Sequence, residues 1–446
     1  MKRYVLFVCL LLSGLAGVYA QSIAPFQKGD RIAFVGNSIT CGGHYHSYIW
    51  LYYMTRFPDQ RIDIFNEGVG GDVAEMIYQR LDKVFEHEPT VVTLSFGMND
   101  VGYMDFRKPG ADTIARNRVE KACRDYALIE EVYKKYPEVR KILIGSSPYD
   151  ETSRFNKVAF PGKNTPILKI VDFNRPMVAI NQWEQAADSM YTLCGKDRIH
   201  PSTDGHLVMA YLFLKAQGLA GKPVADIRID GAGKKVTRSD NCRVSDLSIS
   251  SDNLTFTYEA KSLPYPIDTS YYDNEKHTQA DALSVIPFMD EMNYEGLSVS
   301  GLSDGYYGLT IGGEFIGRFT ARELERGINM ALLQNTPQYK QAMKIRQMNE
   351  ERWLKERKMR EFYWVEYNLM RKTGMLWACD EAAVDTLRKY RPHDIFLQWN
   401  GDLWLQYMHK GIREDCVNEQ QDLVDRIYEQ NKPIPLRIEI KKFTDL

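Results

Sequence analysis

Neither sign of charge dominates this chain of 446 residues. Lysine and arginine number 57, aspartate and glutamate number 59, and the formal net charge is −2. Nucleic acids bind through a surplus of basic side chains, so this balance argues against a nucleic acid partner. Beyond its first residues the sequence also lacks an apolar run long enough to cross a membrane, and we expect no membrane-spanning helix. The oligomeric state is left open.

Cysteine is scarce and widely spaced. The whole chain has seven cysteines, and no two form a Cys-x-x-Cys pair, so no structural zinc site is indicated. One of the seven lies in the apolar run at the start of the chain. For the other six, disulfides and buried free thiols both stay open: Cys41, Cys123, Cys194, Cys242, Cys379 and Cys416.

The first twenty residues have the order of a secretory signal peptide. A basic start, Met1 to Arg3, precedes the apolar run Tyr4 to Leu12, and the small residue Ala20 follows. We predict cleavage after about Ala20, and therefore a secreted or periplasmic protein of bacterial type. Cys9 has no small-residue pair before it, which makes a lipoprotein anchor the weaker alternative.

The length and a change of pattern predict more than one domain. A chain of 446 residues is longer than the chains that ordinarily fold around a single hydrophobic core. From residue 30 to about 218, short apolar runs alternate with helical stretches, which indicates an α/β domain with a parallel sheet and helices on both faces. Residues 222–319 contain alternating runs and the hairpin signal Gly312-Gly313, so we predict a β-rich accessory region there.

Residues 320–446 are predicted to be mostly helical. Thr320 and Glu323 have the spacing of a capping box that starts a helix, Pro337 interrupts, and a longer helix follows. The run Asn349 to Arg360 carries charges of both signs, which is typical of a solvent-exposed helix face. The predicted boundaries are 1–20 for the signal peptide, 21–221 for the α/β domain, 222–319 for the β-rich region and 320–446 for the helical region.

One stretch places a serine at the end of a strand. The apolar run Arg31 to Val35 predicts a buried strand that stops at Gly36, and Ser38 follows closely. In open α/β sheets, reactants bind outside the carboxyl ends of the strands. Ser38 is therefore a candidate nucleophile, provided that a base, an orienting group and oxyanion donors lie near it.

Three further blocks supply residues of those types. Gly71 follows a second predicted strand, Asn99 follows a third, and Asp197 and His200 lie far downstream. A glycine lets a reacting oxygen approach a backbone N–H, and an asparagine amide is a fixed donor. A histidine near a carboxylate has the parts of a general base and its orienting group.

These four blocks, in this order, resemble the SGNH (GDSL-type) hydrolase family of esterases and acylhydrolases over roughly residues 31–219. The resemblance implies a three-layer, flavodoxin-like fold and a Ser-His-Asp mechanism. It implies a role for five residues: the nucleophile Ser38, the base His200, its orienting carboxylate Asp197, and the oxyanion-hole donors Gly71 and Asn99.

Two features qualify this assignment. Asn37 stands where the family usually has aspartate, which affects local hydrogen bonding but not the nucleophile. Asp197 and His200 also have the spacing of a metal pair that His44 or His206 would complete. A carboxylate close to its histidine equally suits a triad, which we favour, so we expect neither a metal nor an organic cofactor.

Other reactive or aromatic residues have plainer explanations. Cys41 follows Ser38 closely but lacks the family position of a nucleophile. We expect His44 and His46 to be loop histidines, with lining of the substrate entrance as the alternative, and His206 to pack against or cap a helix. Three aromatic residues are expected to pack in a core, with a sugar platform as the alternative: Trp399, Trp404 and Tyr407.

The sequence therefore predicts a secreted serine esterase. Secreted bacterial members of the family with appended regions resemble carbohydrate acetylesterases, which implies a small acyl ester on carbohydrate, chiefly acetyl, as the substrate. One alternative is a lysophospholipase or general acylhydrolase. An alternative of another class is a carbohydrate-binding protein with a degenerate hydrolase domain.

Overall fold

The computed structural model describes residues 22–103, 105, 109–157, 162–164, 171–270 and 277–443. The predicted signal peptide, residues 1–20, lies outside the described residues. None of the described helices combines the length and the apolar character that a membrane span requires.

A parallel four-stranded sheet forms the centre of the α/β domain. Along its first strand, Ile32 and Phe34 pack in one hydrophobic cluster, and Ala33 and Val35 pack in another on the opposite face. Both faces are covered, as the continuous apolar run predicts. The strand order is β2-β1-β3-β4, with β1 (Arg31–Gly36), β2 (Asp63–Gly68), β3 (Val91–Ser95) and β4 (Arg140–Ile144).

Helices form the two outer layers of this domain. The second and eighth helices pack on one face of the sheet, and the third, fourth and sixth pack on the other. The three-layer α/β architecture predicted from the sequence is thereby confirmed. The helices are α1 (Ser38–Gly42), α2 (Tyr45–Arg56), α3 (Ala74–Tyr78), α4 (Leu81–Phe85), α5 (Met98–Val101), α6 (Ala111–Tyr133), α7 (Asn174–Gln185) and α8 (Thr203–Ala216).

Two further sheets share a hydrophobic cluster of their own. One has the order β12-β9-β5-β6 and the other has the order β11-β10-β13-β8-β7. Gly312 and Gly313 join β10 to β11 with φ values of 60° and 85°, as the predicted hairpin requires. The strands are β5 (Ala225–Asp230), β6 (Lys235–Asp240), β7 (Cys242–Ile249), β8 (Asn253–Ala260), β9 (Glu295–Ser300), β10 (Tyr306–Ile311), β11 (Glu314–Thr320), β12 (Ile328–Asn329) and β13 (Leu436–Lys442).

The last strand returns from the helical part of the chain to the β-rich region. β13 lies between β10 and β8 and pairs antiparallel with both. Leu436, Ile438 and Ile440 are buried in the cluster that the two sheets share. Within residues 320–446, predicted to be mostly helical, this stretch is a strand because its apolar residues alternate.

The capping box at Thr320 is confirmed, since its side chain accepts the N–H of Glu323 at 3.2 Å. Pro337 is the first residue of the long helix, which Thr336 caps. That helix continues as a π-helical turn, Glu366–Met370. The remaining helices are α9 (Phe288–Glu291), α10 (Ala321–Arg326), α11 (Pro337–Val365), α12 (Glu381–Tyr390), α13 (Ile395–Tyr407) and α14 (Lys410–Gln430), with 3₁₀ turns at Gln279–Ser284, Met330–Leu332 and Arg391–His393.

The charged run of α11 is exposed on one side only, at Glu351 and Lys358. The prediction of a solvent-exposed face is wrong for its other side. Arg352, Glu356 and Arg360 are buried, because α11 packs against α2 and β2 of the α/β domain. Their charges are paired within this contact, and Arg352 Nη1 donates to Glu356 Oε2 at 2.8 Å. A run of mixed charges looks the same in the sequence whether its side chains are solvated or form ion pairs with another element of the fold.

Candidate active site

Ser38 lies where β1 ends and a short helix begins. Asn37 caps that helix, because its Oδ1 accepts the N–H of Ile39 at 3.1 Å. Gly36 leaves no room for a side chain, since a Cβ there would lie 2.3 Å from Thr40 Oγ1. Only Asn37 separates the strand from the helix. Its side chain supplies the capping acceptor at the position where the family usually has an aspartate.

His200 and Asp197 meet Ser38 across the fold. His200 Nε2 lies 2.7 Å from Ser38 Oγ, and His200 Nδ1 is hydrogen-bonded to Asp197 Oδ2. Asp197 Oδ1 accepts the N–H groups of Ile199 and His200 at 2.9 and 3.0 Å. A base, an orienting carboxylate and a hydroxyl are therefore joined in one line of hydrogen bonds.

The environment of Asp197 favours its charged form. Burial raises the pKa of this carboxyl, but the hydrogen bond and charge of His200 outweigh burial and leave the pKa below its usual range. The loop is fixed by main-chain bonds, since Gly195 N–H donates to His200 O at 2.7 Å and Asp150 N–H donates to Arg198 O at 2.9 Å. The carboxylate is thus held in place and ionised.

The glycine and asparagine of the predicted oxyanion hole lie after the strands that flank β1. Gly36 is paired with Gly68 on β2 and with Ser95 on β3, so the three strand ends lie side by side. Gly71 has a φ of 82°, and no other atom lies within 4 Å of the place a Cβ would take. Asn99 Nδ2 donates to the carbonyl of Asp72 at 3.0 Å, which ties the two blocks together.

A buried arginine that was not predicted from the sequence connects these blocks. Arg80 is buried, its Nε donates to Asp72 Oδ2 at 2.7 Å, and its Nη2 donates to the carbonyls of Gly36 and Glu67 at 3.2 and 2.9 Å. One guanidinium thus contacts the ends of β1 and β2 and the turn after β2. In the sequence, the signal for Arg80 is its place between the apolar residues Ile77 and Leu81.

Asp72 and Asp100 complete this support. Burial raises the pKa of Asp72 to about 6, although Arg80 opposes that rise. Asp100 accepts the N–H of Ala74 at 2.8 Å and that of Gly97 at 3.0 Å, which joins the second and third blocks. Asp100 therefore holds the backbone near the candidate donors directly, and Asp72 holds it through Arg80.

The expectation of loop histidines holds for His44, which lies in the short link between α1 and α2, and is wrong for His46. His46 lies in α2 and donates to the carbonyl of Thr40 at 3.1 Å, and burial lowers its pKa to about 4. His44 precedes α2, and its ring stacks on Trp353 at 3.7 Å between centroids. His206 is buried in α8, as expected for a packing residue.

The described residues contain no group of three or more His, Cys, Asp or Glu side chains placed to hold a metal ion. The six cysteines of the described part are free thiols. Burial raises the pKa of Cys41 to about 11, which keeps that thiol protonated and unreactive.

The three aromatic residues near the carboxyl end have different surroundings. Trp404 and Tyr407 are buried, as the core interpretation predicts, but Trp399 is 64% exposed. Trp399 lies edge-on to Phe396, whose ring lies 5.4 Å from that of Trp364 on α11. Trp364 Nε1 donates to the carbonyl of Gly70 at 3.1 Å, so a line of rings begins at the turn that carries Gly71.

Two family models match this chain. The GDSL-like lipase/acylhydrolase family matches residues 34–208. The diltiazem deacetylase C-terminal helical domain matches residues 343–432. The first match contains all five residues with an implied role, and the second covers most of the helical region that packs on β2.

Proteins of known structure or function are also similar to this chain, over its whole length or over the α/β domain. A gut microbial diltiazem-metabolizing enzyme is 40% identical, with a TM-score of 0.89 over 95% of this chain and 100% of that chain. An acetylxylan esterase from Geobacillus stearothermophilus is 21% identical over 43% of this chain and 95% of that protein. A Geobacillus acetyl-xylooligosaccharide esterase structure is 21% identical over 43% of this chain and 95% of that chain, with a TM-score of 0.33.

Proposed function

The chain belongs to the GDSL-like lipase/acylhydrolase family and is an ester hydrolase, and on that premise we propose that it removes acetyl groups from carbohydrate esters by a serine mechanism. Ser38 is the nucleophile, His200 is the base and Asp197 orients it. The observation that carries this proposal is the line of hydrogen bonds through His200, with Nε2 2.7 Å from Ser38 Oγ. A carbohydrate-binding protein with a degenerate site would not need this line, and we set that alternative aside.

Acylation begins with proton transfer from Ser38 to His200. Nε2 takes the proton as Oγ attacks the ester carbonyl carbon, and the imidazolium that forms is stabilised by the Asp197 carboxylate at Nδ1. His200 then gives the proton to the leaving alcohol oxygen as the acyl–oxygen bond breaks. The acetyl group is left on Ser38.

The negative oxygen of the tetrahedral intermediate needs fixed donors. We propose the N–H groups of Ser38 and Gly71 and the side-chain amide of Asn99, one donor of this kind being worth about 3–4 kcal/mol. Asn99 uses one N–H for the Asp72 carbonyl, and its amide keeps a second N–H for the oxyanion.

Deacylation repeats the chemistry with water as the nucleophile. His200 removes a proton from the water that attacks the acetyl carbon, and returns it to Ser38 Oγ as acetate leaves. Every proton in this cycle moves through one nitrogen, Nε2 of His200, and the cycle requires no metal or organic cofactor.

The relatives' names support acetyl as the acyl group. One relative is an acetylxylan esterase, and residues 343–432 match the C-terminal helical domain of diltiazem deacetylase. We propose an acetylated oligosaccharide as the substrate. A second candidate is the acetyl ester of an aromatic alcohol such as diltiazem, favoured by the 40% identical relative and by the exposed rings of Phe396 and Trp399 beside Trp364.

A substrate panel separates these candidates. We would measure kcat/KM for acetylated xylo-oligosaccharides, diltiazem and a long-chain lysophospholipid, and we expect the acetylated oligosaccharide to give the highest value. A higher value for diltiazem would replace the carbohydrate by an aromatic alcohol. Hydrolysis of the lysophospholipid alone would overturn the acetyl proposal.

We further propose that the protein acts outside the cytoplasm, because residues 1–20 have the order of a signal peptide. Expression with these residues, followed by cell fractionation and amino-terminal sequencing, tests this. The proposal requires a mature chain in the secreted or periplasmic fraction that begins at about Gln21. An uncleaved chain in the cytoplasm would contradict it.

A further inference from the structure

One face of α11 follows β2 towards the active site. Glu356, Arg360 and Trp364 are spaced by four residues and therefore share that face. Glu356 Oε1 accepts the N–H of Asn66 at 2.8 Å, and Arg360 Nη1 pairs with Glu67 Oε2 at 3.1 Å. The next contact along the face is that of Trp364, beyond the end of the strand.

Trp364 contacts the peptide group that carries a proposed oxyanion donor. Its Nε1–H donates to the carbonyl oxygen of Gly70 at 3.1 Å. That carbonyl and the N–H of Gly71 belong to the same planar peptide group, so fixing one end fixes the direction of the other. A Cβ at Gly70 would lie 3.1 Å from Trp364 Cδ1, so the ring also packs closely on this peptide.

The Gly70–Gly71 peptide is the central peptide of a tight turn, and the turn itself permits two orientations of it. Asp72 N–H donates to Val69 O at 3.2 Å, and Gly71 has a φ of 82°, which makes residues 69–72 a type II turn with Gly70 and Gly71 at its centre. Type I and type II turns differ by a rotation of about 180° of the central peptide. With two glycines no side chain opposes that rotation, and it would turn the Gly71 N–H away from the oxyanion.

We propose that Trp364 is a positioning residue for catalysis: its indole N–H holds the Gly70–Gly71 peptide in the orientation that stabilises the oxyanion. The inference rests on the proposed serine mechanism and extends it to the helical region. The hydrogen bond also polarises the peptide, which makes the Gly71 N–H a better donor. Through this one hydrogen bond, the helical region contributes to the orientation of an oxyanion donor.

Trp364→Phe keeps a ring and removes the donor. The Gly71 N–H acts on the oxyanion, so the support of the Trp364 hydrogen bond is needed most in the transition state. A hydrogen bond of ordinary net strength corresponds to up to about tenfold in rate, so we expect kcat for a soluble acetyl ester to fall by up to about tenfold and KM to stay within about twofold. The inhibition constant of a boronic acid, whose adduct places an oxygen in the oxyanion hole, should rise by the same factor. A purely structural role would lower thermal stability without this matched change.

Trp50→Phe is the matched control. Trp50 Nε1 donates to the carbonyl of Ile62 at 3.1 Å, so it makes the same bond at the opposite end of β2. We expect this variant to keep kcat and boronate affinity within twofold of wild type. Equal losses in both variants, or a Trp364→Phe enzyme with wild-type kcat and boronate affinity, would overturn the inference.

Two results separate this inference from the proposed function. If Ser38→Ala is inactive and Trp364→Phe has full activity, the inference alone fails. If Ser38→Ala has full activity, the serine mechanism fails and the inference falls with it. If Trp364→Phe loses stability, a double-variant cycle decides. A methyl group at residue 70 crowds the Trp364 ring, so Gly70→Ala should lower kcat in the wild-type background. The same substitution should lower kcat less in a Trp364→Ala background, where the ring is absent.

Discussion

At the scale of single residues, Asp197 has the most closely determined surroundings in the site. Its carboxylate accepts two main-chain N–H groups and the Nδ1–H of His200. These bonds fix both the charge of the carboxylate and the tautomer of the imidazole, which leaves Nε2 free to accept the proton of Ser38. The role of Asp197 therefore depends on its charge more than on its volume.

We predict that Asp197→Asn lowers kcat by about 10³- to 10⁴-fold, because an amide can hold the imidazole in the wrong tautomer. Far-UV circular dichroism and the melting temperature should change little, since the side chain keeps its size. Asp172→Asn, which removes a carboxylate paired with Arg175 at the surface, is the control and should keep wild-type kcat. Near-normal activity of Asp197→Asn would make Asp197 a loop cap and require another orienting group.

The short blocks of the sequence indicate the reacting residues well, because each functional type follows a recognisable strand end. Ser38 and Asn99 were foreseen in this way, whereas His200 was foreseen from its spacing to Asp197 and from the family resemblance. Arg80 was not, because its role exists only where three backbone segments meet. Trp364 was missed for the same reason, being almost 300 residues from its acceptor.

At the scale of elements, the contact between α11 and β2 depends on a buried carboxylate. Glu67 pairs with Arg360 at 3.1 Å and with His87 at 3.0 Å, and Arg80 lies 3.6 Å away. Burial raises the pKa of Glu67, but Arg360, His87 and Arg80 outweigh burial and lower the pKa from 4.5 to about 2. The stability that this charge contributes is thus fully present above pH 4.5 and is lost as the pH falls towards 2.

We therefore predict that Glu67→Gln lowers the free energy of unfolding at pH 7 by about 3–5 kcal/mol, because it leaves buried guanidinium groups without their counter-charge. The difference from wild type should shrink as the pH falls from about 4.5 towards 2. Urea unfolding at several pH values measures it. Glu314→Gln, which removes an exposed partner of Lys340, is the control and should have almost no effect on the free energy of unfolding. If Glu67→Gln differed from wild type by the same amount at every pH, Glu67 would not be the buried charge that stabilises this contact.

At the scale of the whole molecule, the chain closes on itself through β13. This strand pairs on both sides, and Leu436, Ile438 and Ile440 fill the core between the two sheets. The alternation of apolar residues in this run indicates a strand, but the sequence does not indicate its partner strands, which pair with it at separations of 127 residues or more. Helix and strand patterns are local, and for this reason the α/β domain was predictable in detail while the joining of the last two regions was not.

We predict that a chain ending at residue 433 loses the cooperative unfolding of the β-rich region. Removing β13 exposes the edges of β8 and β10 and deletes three buried apolar side chains, which together cost more than about 5 kcal/mol. Thermal unfolding followed by circular dichroism should show a lower first transition than in a control chain ending at residue 443. Identical transitions would mean that β13 adds nothing to the fold.

The central claim is that Ser38 is an activated nucleophile, and a fluorophosphonate probe tests it most directly. The reagent reacts with a serine whose proton a neighbouring base removes, so mass spectrometry should find one labelled peptide, the one that contains Ser38. Ser38→Ala should abolish labelling and lower kcat on a soluble acetyl ester by about 10³-fold or more, while Ser251→Ala, at an exposed turn, changes neither. Labelling that persists in Ser38→Ala, or activity above a tenth of wild type, would contradict the account.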